Sequence, residues 1–336
     1  MLHANYHEVT GADAAACGRQ LGRLFGHKAR EYIKDEQTSR GWRRRKAEAE
    51  RYLVATARYF PEYIEELQAY SKVARVSFLD LWTMSIGDEL DDAEKCTTVV
   101  TNNGRLIAHN EDWDADAVED ICILKRTCAD MTTLELYYYG SPLGGTALSI
   151  CSRGYVQAIN SLNQVDHRMG IPKIIIARRL SELADVRQEL SDLLDLPRAS
   201  GFAHTLVNRH GSVTAVECSA RRQSIHNPKL PFVHTNHVLD DRLKGVQGEL
   251  DGQSTFERYD AARRLVTPTM DRAALTEVTG DSTRGPTNSI LNQNTIARAF
   301  LDLDRRVASF WLRREARKGW VDYPIEFMFV GSASAT

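Results

Sequence analysis

Hydrophobic positions recur at two different periods along this chain, and the change from one to the other divides it. Through the first 90 residues apolar side chains return at helical spacing. Residues 12–36 carry Leu21, Leu24 and Phe25 on one face, behind Thr10 or Asp13 as the cap. A second helix is expected over Trp42–Tyr59. Pro61 is placed to open a third, since a proline at the first helical position gives up only an N–H that has no partner there. From Cys96 onward the period shortens to two. Alternation predicts strands at 97–101, 105–110, 121–128, 133–139, 146–151 and 155–160, with Arg153-Gly154 turning the last pair. An amphipathic helix is expected over 172–194, with Ile175, Ile176, Leu180, Leu183, Leu190 and Leu194 along one face. Strands return at 202–208, 212–218 and 231–238, helices near 254–265 and 271–277, and strands at 295–302, 307–313 and 325–330. This order predicts an α+β fold in layers, two antiparallel sheets with helices outside. No internal repeat or low-complexity tract interrupts it, and the tail from Gly331 to Thr336 reads as frayed.

The densest local signal lies where the period changes. Cys96 opens a β-branched run through Thr101, Asn103-Gly104 follows, and a returning strand ends in Asn110-Glu111-Asp112-Trp113-Asp114. Asn-Gly between two such runs is a strong hairpin signal. A two-residue loop there sets Cys96 opposite Glu111, with Cβ atoms roughly 5 Å apart. A one-residue bulge would set Asp112 opposite instead. On these residues alone, an edge hairpin with a polar rim explains the pattern as well as a reactive site does.

Composition narrows the classes without naming one. The 336 residues suffice for one large domain or two smaller ones, and 43% apolar with 26% charged residues is ordinary for a soluble globular protein. A net charge of −2 gives no broad electrostatic case for nucleic acid. The basic run Arg43-Arg44-Arg45-Lys46 is followed by Glu48 and Glu50 and reads as a solvated helix face. No apolar run approaches the roughly 18 residues of a membrane span, and the first seven residues lack an apolar signal core. The six cysteines, Cys17, Cys96, Cys122, Cys128, Cys151 and Cys218, contain no C-x-x-C pair and suggest neither a zinc site nor a disulfide framework. A cytoplasmic location is therefore expected, with five cysteines behaving as small buried apolar residues. His234 and His237 stand three apart without a third ligand, so no metal is expected.

Several segments resemble, in order, one known family. Cys96-Thr97-Thr98, then Asn103-Gly104, then Asn110-Glu111-Asp112 resemble the start of the catalytic chain in the penicillin acyltransferase-like family, which includes isopenicillin-N acyltransferase and the hydrolases of β-alanyl-amines such as carcinine. His234-Thr235-Asn236-His237 is similar to that family's His-Thr-Asn-His segment. The stretch from Gly154 to Asn160 is similar to one of its strands, and the stretch from Pro61 to Leu67 to a helix ahead of the nucleophile. The resemblance implies the four-layer αββα sandwich of the N-terminal-nucleophile hydrolases. It also implies cleavage before Cys96, making residues 1–95 a helical segment and 96–336 the catalytic chain of one domain.

In that reading Cys96 supplies both nucleophile and base. Its thiol ordinarily titrates near pH 8.5 and a new α-amine at about 7.7–8.0, a pair matched well enough to work without an imidazole. Asp112 is expected to orient the amine through the Asn-x-Asp match, with Asp114 as the fallback and Glu111 nearby. Asn236 is expected to donate to the oxyanion, and Asn160 to line the site. Arg284 matches a family arginine if an insertion is allowed; without a gap Asn292 takes that position. The implied substrate is a small N-acyl amine or amino-acid derivative. The acyl group passes through a Cys96 thioester to water or to an amine. Hydrolysis is favoured because no coenzyme A phosphate cradle is recognisable, and acyl-coenzyme A enters as co-substrate only in the transfer direction. No other cofactor is implied, and self-association stays open. One departure stands out: Lys95 occupies a position where the family often has glycine, and glycine eases the strained turn that self-cleavage needs. Two alternatives therefore remain, an uncut relative that binds a small ligand, and an uncut thiol hydrolase pairing Cys96 with His109 or His237.

Overall fold

The computed structural model describes residues 2–90, 95–250 and 252–330. Its strands, in chain order, are β1 (Tyr6–Gly11), β2 (Lys95–Thr101), β3 (Leu106–Asp112), β4 (Ile121–Cys128), β5 (Met131–Tyr138), β6 (Leu148–Cys151), β7 (Tyr155–Ser161), β8 (Phe202–Asn208), β9 (Val213–Cys218), β10 (Gln223–His226), β11 (Phe232–His234), β12 (Thr295–Asp302), β13 (Val307–Leu312) and β14 (Val321–Pro324). One sheet runs β1-β4-β5-β6-β7-β8-β9-β10 and the other β11-β2-β3-β12-β13-β14. The helices are α1 (Ala14–Thr38), α2 (Trp42–Tyr59), α3 (Pro61–Ala74), α4 (Phe78–Ser85), α5 (Gly87–Leu90), α6 (Lys173–Leu180), α7 (Val186–Asp195), α8 (Ser254–Leu265), α9 (Arg272–Thr279) and α10 (Gly285–Asn288).

Three apolar clusters show how these elements stack. Leu21, Phe25, Leu67 and Trp82 from α1, α3 and α4, with Ile175 and Leu190 from α6 and α7, cover one face of the first sheet through Cys122, Leu124 and Phe202. The other face of that sheet, through Ile123, Leu134 and Ile150, meets Val100, Ile107, Ala299 and Phe310 of the second sheet. Val99, Ala108 and Phe300 on the outer face of the second sheet pack against Ala262 and Leu275 of α8 and α9. The result is the four-layer αββα sandwich. β3 is buried on both faces, all seven of its residues included, so the apolar run Leu106-Ile107-Ala108 passes into the buried polar run His109-Asn110-Glu111-Asp112 with no alternation. Among the described residues no helix is long and apolar enough to cross a membrane.

The packing of the first layer depends on glycine. Gly18, Gly22 and Gly26 stand one turn apart on α1, facing Glu66, Tyr70 and Ala74 at the same spacing on α3. A Cβ at Gly18 would lie 2.0 Å from the Glu66 carbonyl oxygen, so only bare backbone admits this approach.

Several expectations need correction. The N-terminal segment is not wholly helical: β1 joins the first sheet, and it pairs with β4 in parallel, so that sheet is mixed rather than antiparallel throughout. The helix expected over 172–194 is two, because the Asp185 side chain accepts from the N–H groups of Arg187 and Gln188 and starts α7 afresh. The strand expected at 231–238 ends at His234. The one expected at 325–330 is instead a short 3₁₀ turn over Glu326–Met328, while the edge strand is β14. The edge strand β10 was not anticipated either, since four residues are too short to show a period. The frayed tail at 331–336 lies outside the described residues.

Candidate active site

The hairpin of β2 and β3 pairs Cys96 with Glu111, the register expected from the sequence. The turn is longer than expected, for the ladder stops at Thr101 and Leu106, leaving a four-residue loop. Asn102, Asn103 and Gly104 all take left-handed backbone, with φ of 51°, 52° and 78°. Asn102 is drawn out of the ladder by the neighbouring chain: its N–H donates to the Pro268 carbonyl, its side-chain amide to the Met270 carbonyl, and its Oδ1 accepts from the Met270 N–H. A loop of four, like a loop of two, preserves the pairing.

Strand alternation then sorts the chemistry onto two faces. Cys96, Thr98 and Val100 of β2, with Glu111, His109 and Ile107 of β3, point between the sheets, while Thr97 and Val99, with Asp112, Asn110 and Ala108, point toward α8 and α9. On the inner face, Cys96 Sγ donates to Glu111 Oε2 at 3.5 Å. The same oxygen lies 2.7 Å from His109 Nε2, and Tyr138 donates its hydroxyl to Glu111 Oε1 at 2.8 Å. His109 Nδ1 is 3.0 Å from Thr98 Oγ1, which donates to Asn160 Oδ1 at 2.8 Å. Cys96 is 1% exposed, and Glu111, His109 and Asn160 are fully buried.

The peptide nitrogen of Cys96 is held separately. It donates to Asn236 Oδ1 at 3.0 Å, and Asn236 Nδ2 donates to the Ser161 carbonyl at 3.1 Å. Arg258, fully buried on α8, binds three groups at once: the Cys96 carbonyl at 2.7 Å, Thr97 Oγ1 at 2.8 Å and Asn236 Oδ1 at 2.8 Å. Its guanidinium stands 3.9 Å from Asp112 Oδ2, which also accepts from Asn292 Nδ2 at 2.9 Å. Burial raises the Asp112 carboxyl above its usual range, against the opposing pull of Arg258, Thr295 and Asn292. Burial likewise draws the Arg258 guanidinium down, with Asp112 and Cys96 acting the other way.

The candidates therefore divide. Cys96, Glu111, Asn236 and Asn160 belong to connected networks around the nucleophile, and Asp112 reaches it through Arg258. Asp114 lies exposed past the end of β3. Arg284 pairs with Glu257, while Asn292, its gap-free counterpart, is the residue that meets Asp112. His237 sits against Thr235, Thr255 and the Phe256 ring, and burial lowers its pKa to about 4. His234 is engaged by Glu217. Cys96, His109 and Glu111 offer three ligand-type atoms within 4.8 Å of one another. The 2.7 Å between His109 and Glu111 is a hydrogen-bond length, whereas tetrahedral ligands about 2.0–2.1 Å from one ion stand about 3.3 Å apart. Arg258 was not singled out from the sequence. Its signal was present: an arginine in register with Ser254, Ala261 and Ala262 on the buried stripe of α8.

Comparison with known proteins bears on the family. No curated protein sequence matches. Solved structures similar to this chain include a mutant and a variant of the conjugated bile acid hydrolase from Clostridium perfringens, at 10% and 8% identity, each covering 69% of this chain and 92% of that one with a TM-score of 0.42. Another is the penicillin V acylase from Agrobacterium tumefaciens, at 15% identity, covering 65% of this chain and 83% of that one, with a TM-score of 0.41. In sequence, residues 99–317 match the family described as acyl-coenzyme A:6-aminopenicillanic acid acyl-transferase, a segment that takes in Asp112, Asn236 and Arg258 and begins just after Cys96. On that match over most of its length, the chain belongs to the acyl-coenzyme A:6-aminopenicillanic acid acyl-transferase family.

Proposed function

We propose that this protein is a cysteine amidohydrolase that cleaves its own chain between Lys95 and Cys96 and then hydrolyses small N-acyl amines through a thioester at Cys96. The observation that carries the reading is the treatment of Cys96 at both ends. Its nitrogen, the atom that becomes the α-amine, is held on Asn236, while its thiol lies on Glu111. After cleavage the amine takes the thiol proton and the thiolate attacks the substrate carbonyl. The tetrahedral intermediate collapses to a thioester, and the proton leaves with the amine product. Water then releases the acid. Arg258 beside the amine disfavours its protonated form, which keeps it available as a base. As placed, Asn236 offers its oxygen to the nucleophile. To serve the oxyanion, its Nδ2 has to exchange the Ser161 carbonyl for the substrate oxygen.

The family's name supports acyl transfer at large. The hydrolytic direction rests on the sequence, which has no recognisable phosphate cradle for coenzyme A. An uncut thiol hydrolase is less well supported, because a carboxylate stands between Cys96 and His109 where direct thiol–imidazole contact is needed. In the uncut chain Cys96 is also too buried to meet a substrate, so activity is expected to follow cleavage.

Intact-mass spectrometry tests the reading without a known substrate. Purified protein should give two masses, for residues 1–95 and 96–336, that co-elute on a native column. They stay together because β1 is hydrogen-bonded to β4 and Glu66 of α3 is buried against Arg126 and Arg178. Cys96→Ala should remain one chain. Wild-type protein that stays uncut yet releases amine from an N-acyl amine panel would overturn the proposal.

A further inference from the structure

Before the cut, the α-amine is locked in a peptide bond and cannot act as a base. The step that creates the active form therefore needs a different proton acceptor. We infer that Glu111 is that acceptor, taking the Cys96 thiol proton during self-cleavage, with His109 and Tyr138 positioning its carboxylate. The inference rests on the self-cleaving reading above.

Hydrogen-bond bookkeeping carries it. The Thr98 hydroxyl has one hydrogen, and Asn160 Oδ1 takes it, because Asn160 Nδ2 is directed at the His234 carbonyl at 3.4 Å. His109 Nδ1 must then donate to Thr98. A proton must also lie in the 2.7 Å gap between His109 Nε2 and Glu111 Oε2, since two facing lone pairs in a buried site would leave both groups unsatisfied. With that proton on His109 Nε2, Glu111 is a carboxylate able to accept another. Glu111 Oε1 is occupied by Tyr138, and the remaining lone pair of Oε2 faces the thiol.

The step balances. Sγ–H gives its proton to Glu111 Oε2, and the thiolate attacks the Lys95 carbonyl carbon. The Lys95–Cys96 C–N bond breaks as the proton moves to the departing nitrogen, leaving a Lys95 thioester on Sγ and a free amine. Water cleaves that thioester to the Lys95 carboxylate.

Among the described residues, the titratable groups facing Glu111 are Cys96 from β2, His109 from β3 and Tyr138 from β5; Asp112 lies on the opposite face of β3 and acts through its charge, with Arg258 of α8 beside it. The test is cell-free synthesis of the full chain followed by a chase at set pH, with cleavage read by intact mass. Wild type should yield both chains, residues 1–95 and 96–336, during the chase. Glu111→Gln should cut at least about 50-fold more slowly. Its rate should also climb about tenfold per pH unit, hydroxide having replaced the carboxylate. Glu111→Asp, which keeps a carboxylate, should recover part of the rate that Glu111→Gln loses. Tyr138→Phe removes the donor that holds Oε1, so the carboxylate is less well placed and cleavage should slow by about fivefold. This variant decides the matter if Glu111→Gln does not fold. A folded Glu111→Gln that cuts at the wild-type rate, or a Tyr138→Phe that does, overturns the role of Glu111 and leaves self-cleavage standing. A wild-type chain that never cuts overturns self-cleavage itself.

Discussion

Arg258 is the side chain on which the outer face of the site is built. One guanidinium fixes the Cys96 carbonyl, the Thr97 hydroxyl and Asn236, and stands 3.9 Å from the buried Asp112. A lysine has no planar fork with which to span those acceptors, so Arg258→Lys is expected to lose activity by about 10² or more. Arg258→Met should cost about 3–5 kcal/mol of stability, because it strands a buried carboxylate, and adding Asp112→Asn should recover part of that loss. Chemical denaturation of the two single variants and the double variant measures the coupling. A value near zero would mean that Asp112 draws its support from Asn292 and Thr295 alone.

At the scale of elements, α1 and α3 approach through the glycine ridge at Gly18, Gly22 and Gly26. In an exposed helix, Gly→Ala would stabilise by about 1 kcal/mol. Here the new Cβ at position 18 meets a backbone carbonyl at 2.0 Å, and a carbonyl inside α3 cannot rotate away. Overpacking should win, so Gly18→Ala is expected to destabilise by about 1–3 kcal/mol and lower the thermal midpoint. An unchanged or raised midpoint would show that the two helices slide apart without loss. The site's own element is more tolerant of detail: the turn between β2 and β3 has four residues, yet Cys96 still meets Glu111.

The whole molecule carries a built-in sensitivity to acid at His204. This side chain is buried behind the first sheet, near Phe202, and neither ring nitrogen has a hydrogen-bond partner among the described residues. Burial lowers its pKa to about 3. Above pH 6.5 it is neutral both folded and unfolded and has no effect. Below 6.5 the unfolded chain binds a proton that the folded chain refuses, so stability falls with decreasing pH until about pH 3. The slope is about 1.4 kcal/mol per pH unit for one proton. Replacing His204 with Leu should flatten the fall in stability between pH 6 and about pH 4 in denaturant titrations. An identical slope in the variant would assign the acid sensitivity to His237 or to other groups.

Local chemistry was sufficient for much of this. Strand and helix periods located most elements from β4 to β13 to within a few residues, the edge strand β10 and the break between α6 and α7 excepted, because each buries a face whose spacing the backbone dictates. The Asn-Gly signal and the β-branched flanks fixed the hairpin register, and with it the meeting of Cys96 and Glu111. The layering of helices on sheets followed from the order of the periods. Other features depended on partners far away in the chain. β1 is a strand because β4 offers it an edge, and nothing within six residues of sequence could announce that. Arg258 reads as a misplaced charge on an apolar stripe until Cys96, Thr97 and Asn236 converge on it. Neighbouring acids in the sequence were separated by the pleat, which sends Glu111 to the thiol and Asp112 to the opposite face. The proton held between His109 and Glu111 is the furthest from sequence of all, since it follows only from counting the donors and acceptors that three strands bring together.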